Sequence, residues 1–388
     1  PETVPVSCFV KRPRSGAAQW RCMDEALEYL DVVKKIAGQI IPGSTAFTVA
    51  PDRDQLIQFA MVAGDCEYIG REGIEFYPQE LLLFRYDAPG PRDGLVWLRN
   101  VQTRRPKYRI PAGRVLLETK FLQPLVKGPA VGQFHHDYTG LIVAFPYDAT
   151  APHSPIPTKS LRRESPFLLA YYEQHREVID QQTKFSDKIR GPNSGDFYGL
   201  ARTGPYSFAN NYVAFRDNTR WCATVISSNE MPWGDTKRFV FQNHAVSMCE
   251  RSDRKTIGLD EAHYVCAILN APVVERFINA SSDERSFKIR PPVFVPLYNP
   301  HDQDHRGLVA ASREAHAHLD RTETVRKTIG ILYNKICKLN LRGKPMTVDA
   351  RLDAADRDLA AGRTLGPFDN AEDLLRAAME FNHARGSN

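Results

Sequence analysis

The stretch "AILNAPVVERFINASSDERSFKIRPPVFVPL", Ala267 to Leu297, opens as an apolar run and closes as an alternating tract that carries cations. Asn270 and Pro272 divide it. Asn favours helix termini, and Pro fits a first helical turn because its missing N–H would have no partner there. The upstream "DEAHYVCAIL" therefore reads as one buried helix and "VVERFINA" as a second, short one. Beyond the polar loop "SSDERS", the tract "FKIRPPVFVPL" puts Phe287 and Ile289 on one face and Lys288 and Arg290 on the other. A helix pair would then deliver Arg285, Lys288 and Arg290 to a surface.

The pattern downstream is the most regular in the chain. Leu308, Ala311, Ala315, Leu319, Val325, Ile329, Leu332, Ile336 and Leu339 recur at spacings of three or four, or close to them, with Thr322 in a polar gap. One long helix, on the order of 50 Å if unbroken at 1.5 Å per residue, or a helix pair is expected there. Upstream, "NNYVAFRD" and "RWCATVIS" read as strands and "SPFLLAYYEQHREVIDQQTKFSDKIRG" as helical. From about 50 to 150 the texture is short apolar runs separated by Gly and Pro: "QLIQFAMV", "ELLLFRY", "LVWLRNV", "GRVLLETKFL" and "GLIVAFPY". Near the start, "PVSCFVKRP" reads as a strand. "MDEALEYLDVVKKIAGQ" reads as an amphipathic helix, with Leu27, Leu30, Val33 and Ala37 on one side, Asp24 as N-cap and Gly38 as its stop.

These elements make an α+β chain with a β-rich N-terminal part, a mixed α/β middle and a long helical C-terminal segment. The expected divisions are 1–40, a β-rich 41–150, a mixed 151–300, the helical 301–345, and a tail with a short helix at 346–388. The chain starts at Pro1, and "PETVPVSCFVKRPRSG" lacks the basic-then-apolar order of a signal peptide, so a piece of a longer cytoplasmic polypeptide is expected. No apolar run is long enough for a membrane span.

With 42% hydrophobic and 25% charged residues, 388 residues suffice for two or three domains. The seven cysteines are scattered and never in a C-x-x-C pair, which excludes a zinc knuckle and points to reduced, mostly buried thiols. A net charge of +5 says little alone. Its distribution says more. Arg99, Arg104, Arg105, Lys107, Arg109, Arg114, Lys120 and Lys127 face a single anion, Glu118, within one stretch, whereas the tail from Leu341 is slightly acidic. Basicity belongs to a folded surface and not to a disordered tail.

Catalytic patterns are scarce. "HDQDH" at 301–305 spaces His301 and His305 like metal ligands on a helix, with His316 and His318 further on, but Pro300 places His301 ahead of the helix and makes Asp302 or Asp304 an ordinary N-cap. There is no G-x-S-x-G, and "GPAVGQF" and "GPNSG" lack the features of a cofactor or phosphate loop. "GREGIEF" reads as a turn that could display Arg71. Between Lys184 and Trp221, the cations Lys184, Lys188, Arg190, Arg202, Arg216 and Arg220 alternate with Phe185, Phe197, Tyr198, Tyr206, Phe208, Tyr212 and Phe215. Cations beside aromatics hold phosphates and stack on bases, although the same alternation also describes a packed aromatic core with a solvated face.

Taken in order, "EYIGREGIEF", "LLETKFLQPLVKGPAVGQF", "LIVAFPYD", "FYGLARTGPYSFANNYVAFRDN", "AHYVCAILNAPVVERFIN" and "RPPVFVPLYNPHDQDHRGLVAASREAH" resemble the C-terminal half of large N6-adenine DNA methyltransferases. The relatives implied are TaqI-like, type IIG restriction–modification and BREX-type enzymes, whose C-terminal half recognises the target. In "AILNAPVVERFI" the Leu-Asn pair matches a family pattern that joins two helices. The family's glycine-rich S-adenosylmethionine turn and its [Asn/Asp/Ser]-Pro-Pro-[Tyr/Phe] motif are missing. "YNPH" at 298–301 has His301 in place of the second proline. The resemblance therefore implies a specificity module with no catalysis and no cofactor of its own. Residues 1–40 would be a remnant of the catalytic domain's edge, and S-adenosylmethionine would belong to that domain.

The partners implied are double-stranded DNA, the catalytic domain of the same parent polypeptide and other subunits of a defence system. The catalytic domain would extrude an adenine while this region grips the flanking duplex. Arg71, Arg202, Asn210, Asn211 and Arg216 are the candidates for reading bases, by the Arg–guanine and Asn–adenine pairings of the major groove. Lys107, Lys127, Lys184, Lys188, Arg285, Lys288 and Arg290 are the candidates for phosphate, and Arg104, Arg105 and Arg190 are further DNA-binding candidates. Two alternatives remain: a protein-interaction scaffold of a defence complex, and a metal-dependent hydrolase built on the 301–316 cluster.

Overall fold

The computed structural model describes residues 3–12, 20–40, 45–103, 108, 110–181, 196–216, 218–282, 287, 289–340 and 343–360. The fold is α+β. Fifteen strands are described: β1 (Thr3–Lys11), β2 (Leu30–Gly38), β3 (Thr48–Ala50), β4 (Tyr68–Arg71), β5 (Leu83–Pro89), β6 (Leu95–Asn100), β7 (Arg114–Glu118), β8 (Leu122–Val126), β9 (Leu141–Ala144), β10 (Tyr212–Arg216), β11 (Ala223–Ile226), β12 (Ser228–Glu230), β13 (Thr236–Arg238), β14 (Val240–Phe241) and β15 (Ala245–Arg251). The helices are α1 (Met23–Leu27), α2 (Arg53–Val62), α3 (Gln79–Leu82), α4 (Thr158–Glu164), α5 (Pro166–Gln174), α6 (Arg176–Asp180), α7 (Leu259–Leu269), α8 (Pro272–Ser281), α9 (Gln303–Ala317), α10 (Thr322–Ile336) and α11 (Val348–Ala360).

The opening stretch lies at the centre of one half. Helix α7 is buried from Glu261 to Leu269, and α8 starts on Pro272 as the sequence predicts. Asn270 turns the chain between them, and it does more than end a helix. Its buried side chain accepts from the Ala223 N–H (3.0 Å) and donates to the Ala223 carbonyl (2.8 Å), so it clamps the start of β11. The Trp221 indole donates to the Leu269 carbonyl at 2.7 Å beside it. Around this joint α2, α7, α8, α9 and α10 pack on one face of an antiparallel sheet of order β11-β10-β15-β4.

The other half is a six-stranded sheet of order β14-β8-β9-β5-β6-β7, covered by α4, α5 and α6 through Leu161, Leu168, Leu169, Tyr172 and Ile179. Strand β14 comes from the segment between β11 and β15 of the other sheet, well beyond β9 in sequence, and pairs in parallel with β8 (Val240 with Leu125, Phe241 with Val126). A third, smaller core of Tyr212, Ala214, Phe239, Phe241 and Cys249 fills the seam between this sheet and the back of β10. Residues 41–150 thus contribute to both halves. The chain passes from one to the other at Arg71–Ile74, and Gly73 permits the crossing because a Cβ there would lie 2.1 Å from the Gln242 carbonyl oxygen.

Three segments depart from the sequence expectation. "LDVVKKIAG" is strand β2 and not a helix: it pairs antiparallel with all nine residues of β1, from Thr3 opposite Gly38 to Lys11 opposite Leu30. Val32 and Val33 are β-branched, and the cross-strand partner outweighs a helical spacing that has no core to face. "QLIQFAMV" is the helix α2, capped by Asp52, with Leu56, Phe59 and Val62 buried. The tract "FKIRPPVFVPL" forms no continuous strand in its described part. Val293 and Val295 make isolated bridges to Ala63 and Cys66, with Phe287 buried and Arg290 exposed.

The regular C-terminal tract is a helix pair, α9 and α10, separated at His318 and a short 3₁₀ turn (Leu319–Arg321). Asp302 caps α9, accepting from the Asp304 and His305 N–H groups. Among the cysteines, Cys222, Cys249, Cys266 and Cys337 are buried and Cys22 is exposed. No helix among the described residues is long and apolar enough to cross a membrane.

Candidate nucleic-acid interface

The seam between the two halves gathers the described candidates. Arg71 closes β4 and lies over the Tyr206 ring, 4.9 Å from its centroid, while donating to Glu250 at 3.0 Å. Arg202, in a left-handed conformation with φ of 65°, pairs with both Glu72 and Glu75. A non-glycine residue held there costs free energy and persists only where its surroundings enforce it, and the two carboxylates supply that enforcement. Both guanidinium groups act on the Tyr206 hydroxyl, whose pKa is raised first by burial and lowered in part by the two arginines.

Arg290 approaches β4 from its other face. The chain at Ile289 crosses so close to Gly70 that a Cβ on Gly70 would lie 1.9 Å from the Ile289 carbonyl oxygen. Arg290 itself is exposed and, among the described residues, forms no ion pair. Asn210, exposed, and Asn211, half-buried, lead into β10, the sheet's second strand. The exit of β4 and the 202–206 segment therefore form one site through Arg71, Arg202 and Tyr206, whereas Asn210 and Asn211 lie at the opening end of β10 and the Ile289–Arg290 turn lies over Gly70, on the other face of β4.

Two candidates do other work. Arg216 donates to the carbonyls of Val131 (2.8 Å) and Pro129 (2.7 Å), so its guanidinium holds the 128–131 turn against the end of β10. Lys127 donates to the Gln79 side chain at 3.2 Å, and burial pushes its pKa down. Lys127 follows β8 of the six-stranded sheet, and Arg216 ends β10 of the four-stranded one. Arg104, Arg105, Lys107, Lys184, Lys188, Arg190, Arg285 and Lys288 lie outside the described residues.

Sequence reading missed the carboxylates. Glu250 serves both Arg71 and Arg254 (3.6 Å), and Glu72 with Glu75 serve Arg202, so the seam is close to neutral at its centre; among the described residues Arg216, Lys127 and Arg290 have no carboxylate partner, and of these three Arg290 is the exposed one. "GREGIEF" contained the signal: Glu72 follows Arg71 directly with Glu75 just beyond, and two glycines in a short strand-like stretch mark close backbone approaches.

The 301–318 histidines diverge. His301 is exposed ahead of α9, and His305 is buried against Tyr264 with ring centroids 4.5 Å apart. His316 accepts the Val225 N–H on Nε2 (3.1 Å), which assigns its proton to Nδ1, facing the Ser312 carbonyl at 2.7 Å. His263 stacks edge-on against it, with centroids 4.9 Å apart. Burial lowers the pKa of all three buried rings, that of His263 to about 4. Among the described residues no group of three His, Cys, Asp or Glu side chains is placed to hold a metal.

No protein-family model matches this chain, and no curated protein matches it.

Proposed function

We propose that the chain is a double-stranded DNA recognition module that serves an N6-adenine DNA methyltransferase of a restriction–modification or phage-defence system, with catalysis and S-adenosylmethionine assigned to a separate catalytic domain. The gathering of Arg71 and Arg202 about Tyr206 at the exit of β4, with Arg290 exposed beside the same strand, is the observation that favours it. Two chain segments distant in sequence bring guanidinium groups to one site and a third displays Arg290, and those are groups that hold phosphates and read base edges. Arg71 and Arg202 are already paired, so they would reach DNA only by exchanging a carboxylate for a phosphate or a base. Arg290 has no such competitor and is assigned to phosphate.

Fluorescence anisotropy on a duplex, begun at low salt, tests this. Affinity should fall with salt at a log–log slope of about −0.9 per phosphate neutralised, and Arg290→Ala should reduce that slope by about one unit on every duplex alike. Arg202→Ala should change which duplexes are preferred. Absence of any salt-sensitive binding at low salt would defeat the reading.

A further inference from the structure

The six-stranded sheet ends in β7, and no strand among the described residues pairs with its outer side. Thr119 N–H donates to the Gly94 carbonyl at 2.9 Å, in register with the β6–β7 pairs. Val115 and Leu117 therefore bond inward to β6, and Arg114 and Leu116 turn their N–H and C=O groups outward. Just upstream, the Asn100 side chain holds the chain in the same line: it accepts from the Gly113 N–H at 2.8 Å and donates to the Pro111 carbonyl at 3.0 Å. From Ala112 to Leu116 the outward edge is about 14 Å long, room for roughly four residues of an added strand.

A helix runs beside this edge without closing it. Glu118 accepts from the Phe167 and Leu168 N–H groups at 2.9 and 3.1 Å, which fixes the start of α5 at the end of β7. Tyr171 packs on Phe84, whose register partner Asn100 bonds Gly113, so α5 runs antiparallel to β7. Between them lies a cleft of about 420 Å³, lined by Ile110, Leu116, Phe167, Ala170, Tyr171 and His175. Phe167 and Ala170 are exposed, and a Cβ on Gly113 would meet nothing within 4 Å. A cleft of that volume is in the range of ligand sites.

An added strand would meet different chemistry on its two faces. On the inner face Val115 and Leu117 join the core that holds Leu98, Leu168 and Tyr171, so residues turned that way meet apolar side chains. On the outer face Arg114 lies opposite Arg99, and the two share one carboxylate, Asp87, at 2.6 Å each. Arg85, opposite Arg99 on β5, is exposed and donates to the Thr139 carbonyl, with no carboxylate partner among the described residues. Three guanidinium groups thus stand with one carboxylate, since Glu118 is committed to α5. Cross-strand neighbours of opposite sign stabilise a pair.

We infer that the β7 edge and α5 form a groove that takes up an extended peptide as a seventh strand, its apolar residues turned toward α5 and its acidic residues alternating with them beside Arg114. Backbone pairing supplies the affinity and the alternate side chains the specificity. A nucleic-acid backbone would suit the arginines but offers no ladder of N–H and C=O groups to the edge. None of the residues assigned to DNA takes part, so the two readings fail separately.

Selection of random octapeptides displayed on phage against the purified protein tests it. Enriched sequences should alternate apolar residues with Asp or Glu. A synthetic peptide of the enriched sequence should slow hydrogen exchange across residues 112–117. By fluorescence anisotropy it should bind about tenfold more weakly to Leu116→Pro, which removes an outward donor that β6 does not use. Ala170→Glu, on the exposed side of α5, should weaken it by a similar factor through repulsion and leave the thermal midpoint unchanged, and it decides the matter if Leu116→Pro does not fold. No enrichment, enriched sequences without acidic residues, unchanged exchange across 112–117, or equal binding to Ala170→Glu and wild type would each overturn the inference. So would a DNA duplex whose binding both variants abolish, since the edge would then belong to DNA.

Discussion

Replacing Asn270 probes the joint that organises the helical half. Its amide fits between α7 and β11 at 1% exposure, accepting from the Ala223 N–H at 3.0 Å and donating to the Ala223 carbonyl at 2.8 Å and the Cys266 carbonyl at 3.1 Å. Asn270→Leu keeps the approximate volume and removes all three bonds. The two carbonyls keep other donors, Phe134 N–H at 2.9 Å and Asn270 N–H at 3.1 Å, but the Ala223 N–H is left with no side-chain acceptor in a dry site. An orphaned buried donor costs about 1–3 kcal/mol and each further lost bond roughly 1 kcal/mol, offset in part because the amide itself no longer needs desolvation. A loss of about 2–4 kcal/mol follows, read as a lower urea midpoint at unchanged slope.

Asn270→Asp separates hydrogen bonding from packing. It retains the acceptor for Ala223 N–H but turns a carboxylate toward two carbonyls, which raises its pKa in the folded state above the unfolded value of about 3.9. A raised folded pKa means that the deficit relative to wild type is smallest below about pH 4 and grows as pH rises, whereas the Leu variant's deficit stays flat. A loss under about 0.5 kcal/mol for Asn270→Leu, or parallel pH profiles for the two variants, would refute the clamp.

Acid should destabilise the protein through its buried imidazoles. His263 and His136 have folded pKa values lowered by burial to about 4 from 6.5, so the stability they contribute is fully present above pH 6.5 and is lost as pH falls toward 4. Urea melts between these limits should show it, and His263→Gln should flatten the slope by an amount corresponding to about 2 kcal/mol over the window. Gly70→Ala should cost more than about 2 kcal/mol, since the added methyl meets the Ile289 carbonyl and not a flexible side chain. Gly94→Ala, with open space but φ of 78°, should cost only about 1 kcal/mol by thermal melting, and equal losses at the two sites would contradict the close-approach argument.

Local chemistry determined much of this chain. Asn270 and Pro272 announced the α7–α8 break and Asp302 the start of α9, because termini are decided by residues within one turn. The apolar runs of β5 to β9 were legible as strands for the same kind of reason, their pattern being short and bounded by turns. The β1–β2 pair was not. The 30–38 segment carries a spacing that a helix would also accept, and only pairing with β1 selects the extended form. The candidate site was hidden more deeply. Sequence could propose Arg71 and Arg202 as cations, but whether a guanidinium is available depends on what faces it, and Glu250 lies 179 residues from Arg71. Charge is a property of a residue and free charge a property of its neighbours, and this neighbour exists only once β15 has paired with β4.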